Sequence, residues 1–72
     1  MKNNSRRKTF YLYLDRLNVL LQQQEDLIWQ RHEYMMQNEF EKAGSLEDKY
    51  TKPLENKIKA LCKILLEEMN HE

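Results

Sequence analysis

Residues 9–37 read TFYLYLDRLNVLLQQQEDLIWQRHEYMMQ, and apolar side chains recur through them with a period of seven. With Phe10 at position a of a heptad, position d holds Tyr13, Leu20, Leu27 and Tyr34, and position e holds Leu14, Leu21, Ile28 and Met35. Every d and e place is therefore apolar over four heptads. Position a begins with Phe10 and Leu17 and becomes polar at Gln24 and Arg31, while position g is polar from Thr9 to Gln37. A strand would alternate every second residue, whereas steps of three and four place side chains on one side of a helix. A straight helix drifts about 20° per heptad, which carries the later a positions out of the stripe. The pattern predicts a helix from about Ser5 to Gln37 with a broad apolar stripe.

The register breaks after Met36. Asn38 falls at a, Glu41 at d and Lys42 at e, and the next large apolar residue, Phe40, falls at the formerly polar g. A turn at Gln37-Asn38 accounts for this, with Asn38 as the N-cap of a second helix and Glu41 three residues on, the spacing of a capping box. A competing turn lies at Ala43-Gly44-Ser45, where Gly44 can take the left-handed C′ conformation and Ser45 can cap with Asp48. A second helical series runs Phe40, Ala43, Leu46, Tyr50, Leu54, Ile58, Leu61, Leu65 and Met69. Pro53 interrupts it, because proline lacks an N–H and its ring clashes with the carbonyl of Lys49, at a cost of roughly 3 kcal/mol. The expectation is a kink or break near Tyr50–Lys52, with Thr51 restarting the helix as an N-cap and Pro53 in the first turn of a segment reaching about Asn70.

Two long helices with a short connection predict an all-α fold, an antiparallel helical hairpin whose second helix is kinked or broken near Pro53. The charges suit that arrangement. Residues 1–16 sum to +4, residues 17–48 to −5 and residues 49–72 to +1, so folding back brings Lys2, Arg6, Arg7 and Lys8 towards Glu67, Glu68 and Glu72. Exposed pairs contribute only about 0–1 kcal/mol each, and an antiparallel dimer would use them equally well. The expected organisation is a single domain over residues 1–72, with residues 1–8 a basic N-terminal arm free to be disordered.

Seventy-two residues are few for a self-sufficient core, since a chain of this size buries only about 60% of its unfolded surface. Cys62, the single cysteine, cannot close a disulfide within its own chain. Tyr11, Leu12, Val19 and Trp29 lie off the d/e stripe, and Cys62 and Leu66 widen the stripe of the second helix beyond a two-helix seam. The surplus predicts association, as a dimer or hetero-complex forming a bundle. Aromatic and methionine side chains are enriched in interface cores. The candidate partner-binding residues are accordingly Trp29, Tyr34, Met35, Met36, Phe40, Leu61, Leu65 and Leu66.

Chemistry is poorly provided for. His32, Cys62 and His71 are scattered without metal-ligand spacing, and His32-Glu33 has no second histidine four residues on. Cys62 sits beside Leu61 in an apolar stretch, where a thiol behaves as a small hydrophobe. Glu25-Asp26, Glu39-Glu41 and Glu47-Asp48 have no third layer to bury them and shift their pKa values, so they read as solvated helix faces. No catalytic residue, metal or cofactor is expected. The segment after the basic start mixes Asp15, Arg16 and Asn18 among its apolar residues, unlike a signal peptide or a membrane span. With Asn3-Asn4-Ser5 a sequon lacking a secretory context, the expected compartment is a reducing cytoplasm. Zero net charge gives no overall case for nucleic acid, leaving the Lys2–Lys8 arm with Phe10, Tyr11 and Tyr13 as the basis of an alternative nucleic-acid-binding regulator.

Two resemblances bear on function. Met35-Met36-Gln37-Asn38, followed by Lys52-Pro53-Leu54-Glu55 and Ile58, with the run Gln22-Gln23-Gln24-Glu25, resembles the small helical-hairpin co-chaperones that hold needle subunits in bacterial type III secretion. The likeness covers roughly residues 20–60 and departs at Gly44 and Pro53. It implies a hairpin that joins a helical-repeat chaperone to keep a needle subunit soluble. Phe40-Glu41-Lys42-Ala43 with Leu46 and Asp48 is similar to the interaction hairpin of nucleotide-excision-repair proteins and Clp-type regulators, with Glu47 where that pattern carries Arg. That second likeness implies a turn at Asn38 and an adaptor or regulatory role. Both imply a hairpin whose exposed apolar face docks another helical protein. The expectation read from the residues themselves is a non-enzymatic module with a helical protein partner, self-association, or both, and no membrane involvement.

Overall fold

The computed structural model describes the backbone of residues 2–70 and the side chains of residues 7–70. Every element among them is helical: α1 (Lys2–Met36), α2 (Phe40–Leu46), a π-helical turn (Glu47–Thr51) and α3 (Lys52–Asn70). His71 and Glu72 lie outside the described residues. So do the side chains of Lys2 and Arg6, and with them much of the expected meeting of the two charged ends.

Asn38 makes the connection, by a mechanism other than the predicted one. Its φ of 60° is the left-handed conformation, which asparagine adopts at lower cost than most residues. The amide of Glu39 donates to the carbonyl of Tyr34 at 2.8 Å and the amide of Asn38 to that of Met35 at 3.1 Å, the paired bonds of a Schellman closure. Asn38 therefore ends α1 and does not cap α2. An N-cap needs an extended backbone, which a left-handed residue does not have. Glu39 takes the N-cap place at φ −94°, ψ 66°, without a side-chain cap bond, and its carbonyl accepts the amide of Ala43 at 3.1 Å. Its carboxylate holds the ammonium of Lys42 at 3.1 Å. The capping box with Glu41 does not form, and the competing turn is absent because Gly44 and Ser45 lie inside α2.

Pro53 does not break the second helix either. The amide of Lys52 donates to the carbonyl of Glu47, five residues back. This widened turn moves the Lys49 carbonyl away from the proline ring, relieving the clash that α-helical geometry would impose. Leu46 before it and Lys52 after it keep α-helical dihedral angles, so Thr51 lies within a continuous helix and is not an N-cap. Lys52 Nζ and Asp48 Oδ1 meet at 2.9 Å across the wide turn. That hydrogen bond, with the carboxylate's charge, holds the exposed lysine's pKa above its ordinary value.

The d row of α1 faces inwards. Leu20 shares a cluster with Leu54 and Leu61 of α3, and Tyr13, Leu17, Leu27 and Ile58 pack against it. Ala43, Leu46 and Leu65 are also buried. The Cα atoms span 56 × 15 × 14 Å, little more than the about 52 Å that α1 alone would occupy, and residues of α1 and α3 share the core cluster. The radius of gyration is 16.3 Å, against about 11 Å for a compact domain of this length. Arg31 Nε and Glu47 Oε1, 3.9 Å apart, link α1 to the π turn.

Two substitutions test these local assignments by urea denaturation. A Cβ added at Gly44 meets nothing within 4 Å and the backbone is helical, so Gly44→Ala should stabilise the chain by about 0.5–1 kcal/mol. Asn38→Ala should destabilise it by about 1 kcal/mol, because alanine adopts the left-handed conformation at a higher cost than asparagine.

Candidate interaction surface

The two rows of the α1 stripe have different fates. Leu20, in the d row, is 8% exposed, while its neighbour Leu21, in the e row, is 42% exposed. Ile28 is 58% and Met35 39% exposed, and Leu14 is half-buried. These four residues, each seven apart, form one continuous row about 32 Å long. One neighbouring helix covers the row that points at it, and the adjacent row, about 100° around the axis, stands on the flank.

The opposite flank is of another character. Two open hollows of about 400 and 420 Å³ lie along it, sharing Gln23 and Lys57. Asp26, Lys49 and Pro53 border one, and Arg16, Val19 and Ile64 the other. Neither hollow contains Leu14, Leu21, Ile28 or Met35, so the e row occupies the other side. On α3, Lys57, Ala60 and Ile64 face the furrow. Ile58, Cys62 and Met69, four and seven residues apart, take the opposite edge. The side of the e row is thus apolar on both helices.

Among the predicted partner-binding residues, Trp29, Met35, Met36, Phe40 and Leu66 are exposed. Trp29 meets the His32 ring edge-on, with centroids 6.0 Å apart and planes at 87°. Tyr34 is half-buried; its hydroxyl accepts from Gln30 Nε2 at 3.4 Å, and the Lys42 ammonium lies 6.0 Å from the ring centroid. Leu61 and Leu65 require correction. They are 8% and 6% exposed and belong to the core, because they point from α3 straight at α1. Leu21 and Ile28 are exposed as well, although the d and e positions together read as one inward stripe. Their signal was the seven-residue spacing itself, which left one row more than a single neighbour can cover.

Cys62 is a free, half-buried thiol. Among the described residues no group of three or more His, Cys, Asp or Glu is arranged to hold a metal ion. Likewise, no helix among them is long and apolar enough to cross a membrane. No protein-family model matches the chain, and no curated protein or solved structure matches it.

Truncation separates the inner and outer residues of α3. Leu61→Ala and Leu65→Ala should each destabilise the fold by about 2–4 kcal/mol in thermal or chemical denaturation. Leu66→Ala, at an exposed position, should change stability by less than about 0.5 kcal/mol.

Proposed function

We propose that the chain is an antiparallel helical hairpin that acts as a non-enzymatic protein–protein interaction module, docking a helical partner along the e-row face of α1. The row of half-buried Leu14 with exposed Leu21, Ile28 and Met35 supports this reading. Such a row is the half of a helix–helix seam that an amphipathic helix completes by placing its own apolar residues into it. The distribution of apolar residues favours the same view. Among the described residues, thirteen large hydrophobics are exposed and only six hydrophobics are buried, more than a chain acting alone has reason to leave in water. Met35, Met36 and Phe40 extend the face at the turn, where the flexible methionines can follow the contour of a partner.

A small cytoplasmic chaperone or co-chaperone fits this mode of action. Covering an apolar helix of a client keeps that client soluble, which is the task implied by the likeness to the needle-subunit co-chaperones. An adaptor of the excision-repair and Clp-regulator type is the second reading. It is favoured by the turn at Asn38 and by Phe40, which opens α2 and is 58% exposed.

Affinity capture from the native host, with the full chain and its variants as bait, tests the docking face. The unmodified chain should retain a helical protein. Ile28→Glu should lower its recovery by at least about tenfold, since burying one large aliphatic side chain contributes about 1.5–3 kcal/mol. Val19→Glu, on the furrow side, should leave recovery unchanged. Equal recovery with Ile28→Glu, or no retained protein at all, would count against the reading.

A further inference from the structure

Resting on that reading of the α1 face, we propose that a second copy of this chain occupies it, laid antiparallel so that two hairpins form a four-helix bundle. Area, periodicity and charge argue for this occupant independently.

The accessible surface is 6295 Å². A compact folded monomer of 8.9 kDa would expose about 4,800 Å², so this chain leaves about 1,500 Å² more in water than its mass requires. A stable interface takes about 800 Å² from each partner, well within that excess. The face available is apolar from both helices, with exposed Leu21, Ile28 and Met35 beside half-buried Leu14 on α1, and exposed Met69 beside half-buried Cys62 on α3.

A row with a strict seven-residue spacing complements itself. Turned end for end, Leu14 of one copy meets Met35 of the other and Leu21 meets Ile28, so all four positions are filled at once. The rotation that does this is a two-fold axis, which closes the assembly at two chains.

Charge selects the orientation. At the open end of the hairpin the side chains of residues 7–16 with 60–70 carry a net +1. Arg7, Lys8 and Arg16 stand there against Asp15, and Lys63 against Glu67 and Glu68. The turn end, residues 30–50, carries −2, with Glu33, Glu39, Glu41, Glu47 and Asp48 outnumbering Arg31, Lys42 and Lys49. The charges between these ends cancel. A parallel pair would place like ends together, whereas the antiparallel pair sets each basic end on an acidic one. Rim charges of this kind decide register and orientation more than affinity.

Sedimentation equilibrium of the full chain over a wide concentration range should give the mass of a dimer. Leu21→Glu with Ile28→Glu should weaken the dimer at least about 100-fold, Val19→Glu should not, and circular dichroism should show all of them equally helical. The arrangement places Asn18 of one copy opposite His32 of the other. In a Cys62→Ser background, Asn18→Cys and His32→Cys chains should therefore form a disulfide when mixed and oxidised, and neither should do so alone. A monomer at every concentration, a dimer indifferent to Leu21→Glu with Ile28→Glu, or cross-linking within each single variant would overturn the proposal. A monomeric chain whose partner capture still depends on Ile28 sinks the dimer and leaves the docking face standing; loss of both removes both.

Discussion

A helix with one neighbour can bury one row of its side chains, and the architecture of this chain follows from that limit. The row chosen is Tyr13, Leu20, Leu27 and Tyr34, because Leu54 and Leu61 of α3 converge on Leu20. Once that seam is made, Leu21, Ile28 and Met35 of the adjoining row stay exposed and Leu14 half-buried. The long, narrow shape has the same origin: with only two rods side by side there is no third layer. Among the described residues no side chain is buried completely.

Thin cores limit chemistry as well as stability. Catalytic carboxylates and thiols owe their altered reactivity to burial beside fixed charges, which requires walls on several sides. Here the ion pairs Lys42–Glu39 and Lys52–Asp48 are local and exposed, and the two hollows are open furrows. The same geometry is well suited to docking, since an exposed row on a rigid helix is already in the conformation a partner helix needs. Little ordering entropy then stands between encounter and binding.

The two interruptions in the helical pattern show how a local sequence signal can be correct in place and wrong in form. Asn38 marks the reversal, yet it serves as the left-handed end of α1, where the Schellman bonds to Tyr34 and Met35 use carbonyls left open by the helix. Pro53 disturbs the second helix, yet the disturbance appears upstream as the wide turn Glu47–Thr51, because the clash falls on a carbonyl four residues before the ring. Absorbing one residue in that turn keeps the helix continuous from Phe40 to Asn70. It also keeps Ala43 and Leu46 on the same buried side as Leu54, Leu61 and Leu65.

The helical class and the surplus of apolar residues were legible in the chain, and the reversal was narrowed to Gln37-Asn38 or Ala43-Gly44-Ser45, because period, backbone preference and composition are local properties. Leu20 and Leu21, adjacent and chemically identical, could not be told apart by any of these. Leu61, Leu65 and Leu66 were equally indistinguishable as candidates for a partner. Only the direction from which α3 approaches α1 divides them, taking Leu20, Leu61 and Leu65 into the core and leaving Leu21 and Leu66 in water. Periodicity determines how many apolar rows a helix carries; the position of its neighbour determines which row remains for another molecule.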